Sequence, residues 1–204
     1  MSAGPATQRP LRAIVIGTSA GGVEALSKLL PSLSPDCGVS IFVVLHLPRE
    51  RPSLLADIFG PKCALPVVEA QDKQPIEPEV IYFAPPDYHL LIDEGPQLAL
   101  SSDEPVHYSR PSVDVLFESA ADEFGAALLG IVLSGANQDG AAGLRRIAQA
   151  GGFTMVQLPE TAIATAMPEA ALAAAPHSAR LSLDELADAL RNLRHGLLEA
   201  RSNP

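Results

Sequence analysis

The residues with the clearest chemical potential lie in one short turn, Gly17-Thr18-Ser19-Ala20-Gly21-Gly22. Ser19 stands in a G-x-S-x-G setting, the pattern of a nucleophile elbow, where small neighbours let the backbone bend sharply and hold the hydroxyl out at a strand's carboxyl end. A neutral hydroxyl is a poor nucleophile near neutral pH, so such a serine needs a base and a group that orients the base. Of the five histidines, His46 and His89 sit at the end and the start of apolar runs, whereas His107 lies in a proline-flanked loop and His177 and His195 fall in the C-terminal helical region. His46 is preferred, because catalytic residues collect at strand carboxyl ends in parallel sheets. Asp139, in the polar turn Ser134-Gly135-Ala136-Asn137-Gln138-Asp139-Gly140, suits the orienting role and equally the N-cap of the helix that follows; periodicity does not separate the two. The glycine turn has a second reading, as the phosphate loop of a small-molecule or nucleotide-binding α/β module. Its spacing departs from G-x-G-x-x-G, and the next strand ends in His46 rather than an acidic residue, so a serine hydrolase is the stronger expectation.

These residues need strands to place them. The apolar run 13–16 reads as a strand feeding the glycine turn and a helix over 23–30, and 39–45 as a second strand, apolar throughout and therefore covered on both faces. A short helix follows at 53–59. Residues 65–100 are β-rich and broken by prolines, with segments at 65–68, 80–84, 88–93 and 97–100 and a hairpin turn at Asp93-Glu94-Gly95-Pro96, which predicts an antiparallel excursion. A helix opens after Arg110-Pro111-Ser112 and stops at Gly125; a strand at 127–133 runs into the Asp139 turn and a helix to Ala150. A strand at 153–158, a helix at 169–175 and a last helix with the capping box Ser182-Leu183-Asp184-Glu185 and a Leu186, Leu190, Leu193, Leu197 stripe complete the chain. The expected fold is α/β and doubly wound, a mainly parallel sheet with helices on both faces and a short antiparallel β excursion.

Composition narrows the rest. At 204 residues and 47% hydrophobic the chain suits one α/β domain, placed at 11–200 after a disordered lead-in over 1–10. A net charge of −10 argues against nucleic acid and anionic membrane surfaces as partners. Two cysteines in no metal-type spacing read as free thiols of a reducing, cytoplasmic compartment; neither a metal nor a cofactor is expected, and no apolar run is long enough to enter a membrane as a helix.

Taken together, several blocks resemble the catalytic domain of CheB-type protein-glutamate methylesterases. They are residues 16–22, Leu45-His46-Leu47-Pro48, Ala84-Pro85-Pro86-Asp87-Tyr88-His89, Arg110-Pro111-Ser112-Val113-Asp114-Val115-Leu116-Phe117, Leu133-Ser134-Gly135 through Asp139-Gly140, and Ala166-Met167-Pro168. The resemblance covers about Arg12 to about Leu190 and implies Ser19, His46 and Asp139 as the catalytic triad. It implies hydrolysis of glutamyl γ-methyl esters on chemoreceptors or other methylated signalling proteins, with glutamine deamidation as a second activity and a methyltransferase as a further partner. Amides of the Ser19, Ala20 and Gly21 turn are the expected oxyanion donors, and His89 and Arg110 are expected to line the cleft. The family usually has methionine then glycine where Ala136 and Asn137 stand, in a loop tied to the oxyanion site, and commonly threonine at Ala20. The chain is expected to be a stand-alone catalytic domain without a receiver domain; the rival reading is a catalytically silent relative that binds signalling partners.

Overall fold

The central strands are buried along their whole length, which is what apolar runs flanked by helical segments on both faces require. The computed structural model describes residues 10–47, 53–95 and 97–198. The elements, in order, are β1 Ala13–Thr18, α1 Gly22–Leu29, β2 Ser40–Leu45, α2 Leu55–Phe59, β3 Val67–Glu69, β4 Ile81–Phe83, β5 His89–Asp93, β6 Gln97–Ser101, α3 Val113–Phe124, β7 Leu128–Val132, α4 Ala141–Gln149, β8 Phe153–Gln157, α5 Ala166–Ala174, β9 Ala179–Leu181, α6 Leu183–Arg191, β10 Leu193–Arg194 and β11 Leu197–Leu198. Seven strands form one sheet in the order β3-β4-β2-β1-β7-β8-β9, each pair parallel.

The period-two alternation of β1 splits the core into two layers. Ile14 and Ile16 face Leu26 and Leu29 of α1 and Leu186 and Leu190 of α6. Ala13 and Val15 face Val113, Leu116 and Phe117 of α3, with Leu144 and Ile147 of α4 completing that side. Each such side chain, fully buried, contributes about 1.5–3 kcal/mol, whereas a net hydrogen bond contributes about 1 kcal/mol. The apolar layers therefore hold the frame, and the polar contacts at its edge set position.

The chain leaves β1 toward β2 on one side and returns through β7 to the other, so the crevice between the β1 and β7 loops is the topological switch point. Both the Ser19 turn and the Asp139 turn open there.

Some expectations needed correction. The expected antiparallel excursion is the β5–β6 pair, but β3 and β4 of the same proline-broken stretch extend the parallel sheet, because β4 pairs with β2 through Ile41↔Ile81 to Val43↔Phe83. Helix α5 begins at Ala166, ahead of Pro168, since a first-turn proline lacks an N–H that would be unsatisfied there anyway. The final helix stops at Arg191: Leu193 and Leu197 belong to a two-stranded hairpin turned by His195 and Gly196 at φ 49 and 76°, so the stripe past Leu190 is not helical and Leu197 is 42% exposed. The capping box at Ser182 is present as expected. The lead-in before Pro10, Pro48 and Pro96 of the expected hairpin turn lie outside the described residues.

Candidate active site

Register alone brings the first two candidates together. Thr18 of β1 pairs with Leu45 of β2, and the His46 amide donates to the Thr18 carbonyl at 3.1 Å, so Ser19 and His46 are the next residues beyond the ends of adjacent strands. On the other side the Ser19 amide donates to the Ser134 carbonyl at 2.9 Å, which also accepts from Thr18 Oγ1 at 2.9 Å. Ser19 is therefore clamped between the loops after β2 and β7.

Asp139 is 0% exposed, and its carboxylate accepts four hydrogen bonds. Its Oδ2 accepts from His46 Nε2 at 2.8 Å and from the Val113 amide at 2.7 Å; its Oδ1 accepts from Ser112 Oγ at 2.8 Å and the Asp114 amide at 2.9 Å. Asp139 therefore caps α3, a different helix from the one that follows it. The N-cap of α4 is Gly140, in the left-handed conformation and with no side-chain cap, which removes the local-cap reading. Ser112, the N-cap of α3, turns its hydroxyl to Asp139 instead of capping its own helix.

Burial alone would push the Asp139 carboxyl up. The hydrogen bond from His46 and the amides of Asp114 and Val113 outweigh it and hold the group below the ordinary carboxylate value. A carboxylate can only accept, so His46 Nε2 carries the proton and Nδ1 keeps its lone pair as the basic nitrogen. Among the described residues no hydrogen bond joins Ser19 Oγ to His46; what the fold supplies is adjacency and an oriented imidazole.

The glycine turn supplies donors as well. Gly21 sits at φ 80° ahead of α1, and its αL conformation aims the turn at the helix N-terminus. The Ser19 amide is committed to Ser134 and the Gly22 amide to the Ser19 carbonyl at 2.9 Å. Among the described residues this leaves the amides of Ala20 and Gly21 without a backbone acceptor, so Ser19's own amide drops out of the expected donor set.

Two expected cleft residues act beneath it. His89 is 1% exposed: its Nδ1 accepts from the Ser112 amide at 3.1 Å and its Nε2 donates to the Glu104 carbonyl at 3.2 Å. It steadies the residue that steadies Asp139. Arg110 donates from Nη2 to Asp87 Oδ1 at 2.7 Å and from Nη1 to the carbonyls of Ser102 and Asp103 at 2.6 and 2.9 Å, bracing the 101–112 loop. Ala136 is exposed. Asn137 does not adopt a positive φ; its Oδ1 accepts from the Asp139 amide at 3.1 Å and its Nδ2 donates to Ser109 Oγ at 3.4 Å, so it serves as a side-chain tie.

Sequence reasoning did not single out Ser112, Ser134 or Gly135. Ser134 Oγ donates to the Ala20 carbonyl at 2.6 Å and accepts from the Ala164 amide at 2.9 Å, joining the elbow to the loop before α5. A Cβ on Gly135 would fall 1.8 Å from Met167 Sδ and 3.1 Å from Ser19 Cβ, so any side chain there would have to displace Met167 beside the serine. A serine immediately before a helix was a legible signal for Ser112; the other contacts are long-range. Among the described residues, no group of three or more His, Cys, Asp or Glu converges as a metal cage, and no helix is long and apolar enough to cross a membrane.

Comparison with known proteins bears on the family and the fold. Residues 14–190 match the family model described as CheB methylesterase. A Leptospira interrogans protein provisionally named protein-glutamate methylesterase/protein-glutamine glutaminase is 40% identical over 189 residues, 93% of this chain and 98% of that protein. A Caulobacter vibrioides protein-glutamate methylesterase/protein-glutamine glutaminase 2 is 37% identical over 181 residues, which span 87% of this chain and about half, 52%, of that longer protein. The crystal structure of the Thermotoga maritima CheB methylesterase catalytic domain superposes with a TM-score of 0.83 at 26% identity, covering 91% of this chain and all of that one.

Proposed function

The chain belongs to the CheB methylesterase family, and from that membership we propose that residues 11–200 form a catalytic domain that hydrolyses the γ-methyl esters of glutamyl side chains on a protein, releasing methanol. The observation that carries the reading is the His46 Nε2–Asp139 Oδ2 hydrogen bond at 2.8 Å, made by the residue that lies one strand over from Ser19.

The roles follow from the contacts. Ser19 Oγ attacks the ester carbonyl carbon while His46 Nδ1 takes its proton. Asp139, kept ionised by four donors, stabilises the imidazolium that forms. The amides of Ala20 and Gly21, at the positive end of α1, receive the oxyanion; one such donor is worth about two to three orders of magnitude in rate. Collapse of the tetrahedral species breaks the C–O bond, and the departing methoxide takes the proton from His46 Nδ1 to leave as methanol. Water then attacks the acyl-serine with His46 again as base, yielding glutamate and free Ser19. The same sequence on a glutamine side chain releases ammonia, the glutaminase activity named in the relatives.

The partners proposed are a methylated chemoreceptor or another methylated signalling protein, with a methyltransferase that writes the ester, in the cytoplasm. The intact His46–Asp139 pair supports turnover over a silent binding module. The test is methanol release from a methylated receptor fragment by wild type and Ser19→Ala. Release by wild type falling to background in Ser19→Ala is expected, and equal release by both would remove Ser19 as nucleophile.

A further inference from the structure

A cleft of about 550 Å³ is walled by His107, Tyr108, Asn137, Gln138, Ala166 and Glu169 among others. It abuts the proposed site through two short paths. Ala166 precedes Met167, whose sulfur packs at Gly135 behind Ser19, and Asn137 binds both the Asp139 amide and Ser109 Oγ. The cleft thus shares its wall with the loops that hold Ser19 and Asp139.

The wall made by Val106-His107-Tyr108-Ser109 is a two-residue turn. Val106 and Ser109 exchange both backbone hydrogen bonds, at 3.1 and 2.8 Å, and His107 and Tyr108 sit at φ 49 and 62°. Positive φ at both central positions is the geometry for which Asn-Gly is favoured, so two ring-bearing residues there carry a conformational cost that folding does not call for. Such strain points to function when the side chains face a site. Tyr108 is 98% exposed at the cleft. The turn beneath it is fixed: His107 Nε2 lies 3.5 Å from Asp114 Oδ2, His107 Nδ1 accepts from Gln138 at 3.3 Å, and His89 and Arg110 bind the carbonyls of Ser102, Asp103 and Glu104 that lead into it. An aromatic ring presented on a rigid support is the kind of group that anchors a polypeptide at small entropic cost.

We propose that this turn is a substrate-reading lip and that Tyr108 is a specificity-determining residue, contacting the polypeptide that flanks the esterified glutamate. The inference rests on the protein-ester hydrolase reading above. Its test compares kcat/KM for a methylated receptor fragment with that for N-acetylglutamate γ-methyl ester, in wild type, Tyr108→Asn and Tyr108→Phe. Asparagine tolerates the left-handed conformation, so the turn persists without the ring. The expected result is a protein-to-small-ester ratio lowered about ten-fold in Tyr108→Asn, mainly through KM, and held within about two-fold of wild type in Tyr108→Phe. An unchanged ratio in Tyr108→Asn, whether both activities persist or both fall together, would overturn the role. Small-ester hydrolysis equal in wild type and Ser19→Ala would instead overturn the hydrolase reading, and this proposal with it.

Discussion

Asp139 concentrates more of the site's physics than any other residue, because one carboxylate both orients His46 and caps α3. Asp139→Asn keeps the shape but supplies an amide that can donate, which allows the wrong imidazole tautomer. The expected loss in kcat is about four orders of magnitude, with roughly 1–3 kcal/mol of stability lost at the α3 terminus. The pH dependence has a definite sign. Folding lowers the Asp139 pKa, so its contribution is fully present above the unfolded carboxylate value and fades as pH falls through the lowered folded value. Asp114 runs the other way: burial raises its pKa, with the Asp139 charge adding to that, so on acidification it takes up a proton earlier in the folded protein than in the unfolded chain. Urea unfolding of wild type and Asp139→Asn should therefore show a stability gap that is full at neutral pH and closes as pH drops below about 4. A gap unchanged down to about pH 2 would mean that the ionised carboxylate contributes nothing to folding.

Between elements, the decisive distance is that from β1 to the N-terminus of α3. A Cβ on Gly17 would fall 2.2 Å from Val113 Cγ1, so glycine in the strand is what lets α3 approach near enough for the Val113 amide to reach Asp139 at 2.7 Å. Gly17→Ala is expected to displace α3, cost about 1–3 kcal/mol in urea unfolding and lower kcat with little change in KM, because the orienting pair shifts while the outer cleft remains. Wild-type kcat in a stably folded Gly17→Ala would show that the α3 cap is not needed to position Asp139. The sequence carried part of this. Strand ends at Thr18 and Leu45 were readable from apolar runs, and they suffice to put Ser19 beside His46. What Asp139 caps was not readable, since its partners lie 25 to 27 residues away and no local pattern announces a cap supplied by another element. In the proline-broken stretch the β5–β6 hairpin was readable, whereas three-residue β3 and β4 carry too short a pattern to reveal their parallel pairing, which the main sheet decides.

Taken as a whole, the molecule uses a parallel sheet to gather three residues from distant parts of the chain at its switch point: Ser19 after β1, His46 after β2 and Asp139 after β7. The blocks that carried the family resemblance are largely the loops at this edge, so the candidate residues could be named from sequence while the supporting contacts of Ser134 and His89 could not. The proposed triad runs Ser, His, Asp in chain order, which differs from the Ser, Asp, His order of α/β-hydrolases. The claim on which the account turns is that this edge holds one activated serine. Reaction with a fluorophosphonate tests it most directly: Ser19 Oγ bonds to phosphorus, fluoride leaves, and His46 takes the proton. The expected result is a single adduct on Ser19, with methanol release from a methylated receptor fragment lost in proportion to labelling. Methanol release that survives full modification of Ser19, or that disappears with the adduct on another residue, would contradict it.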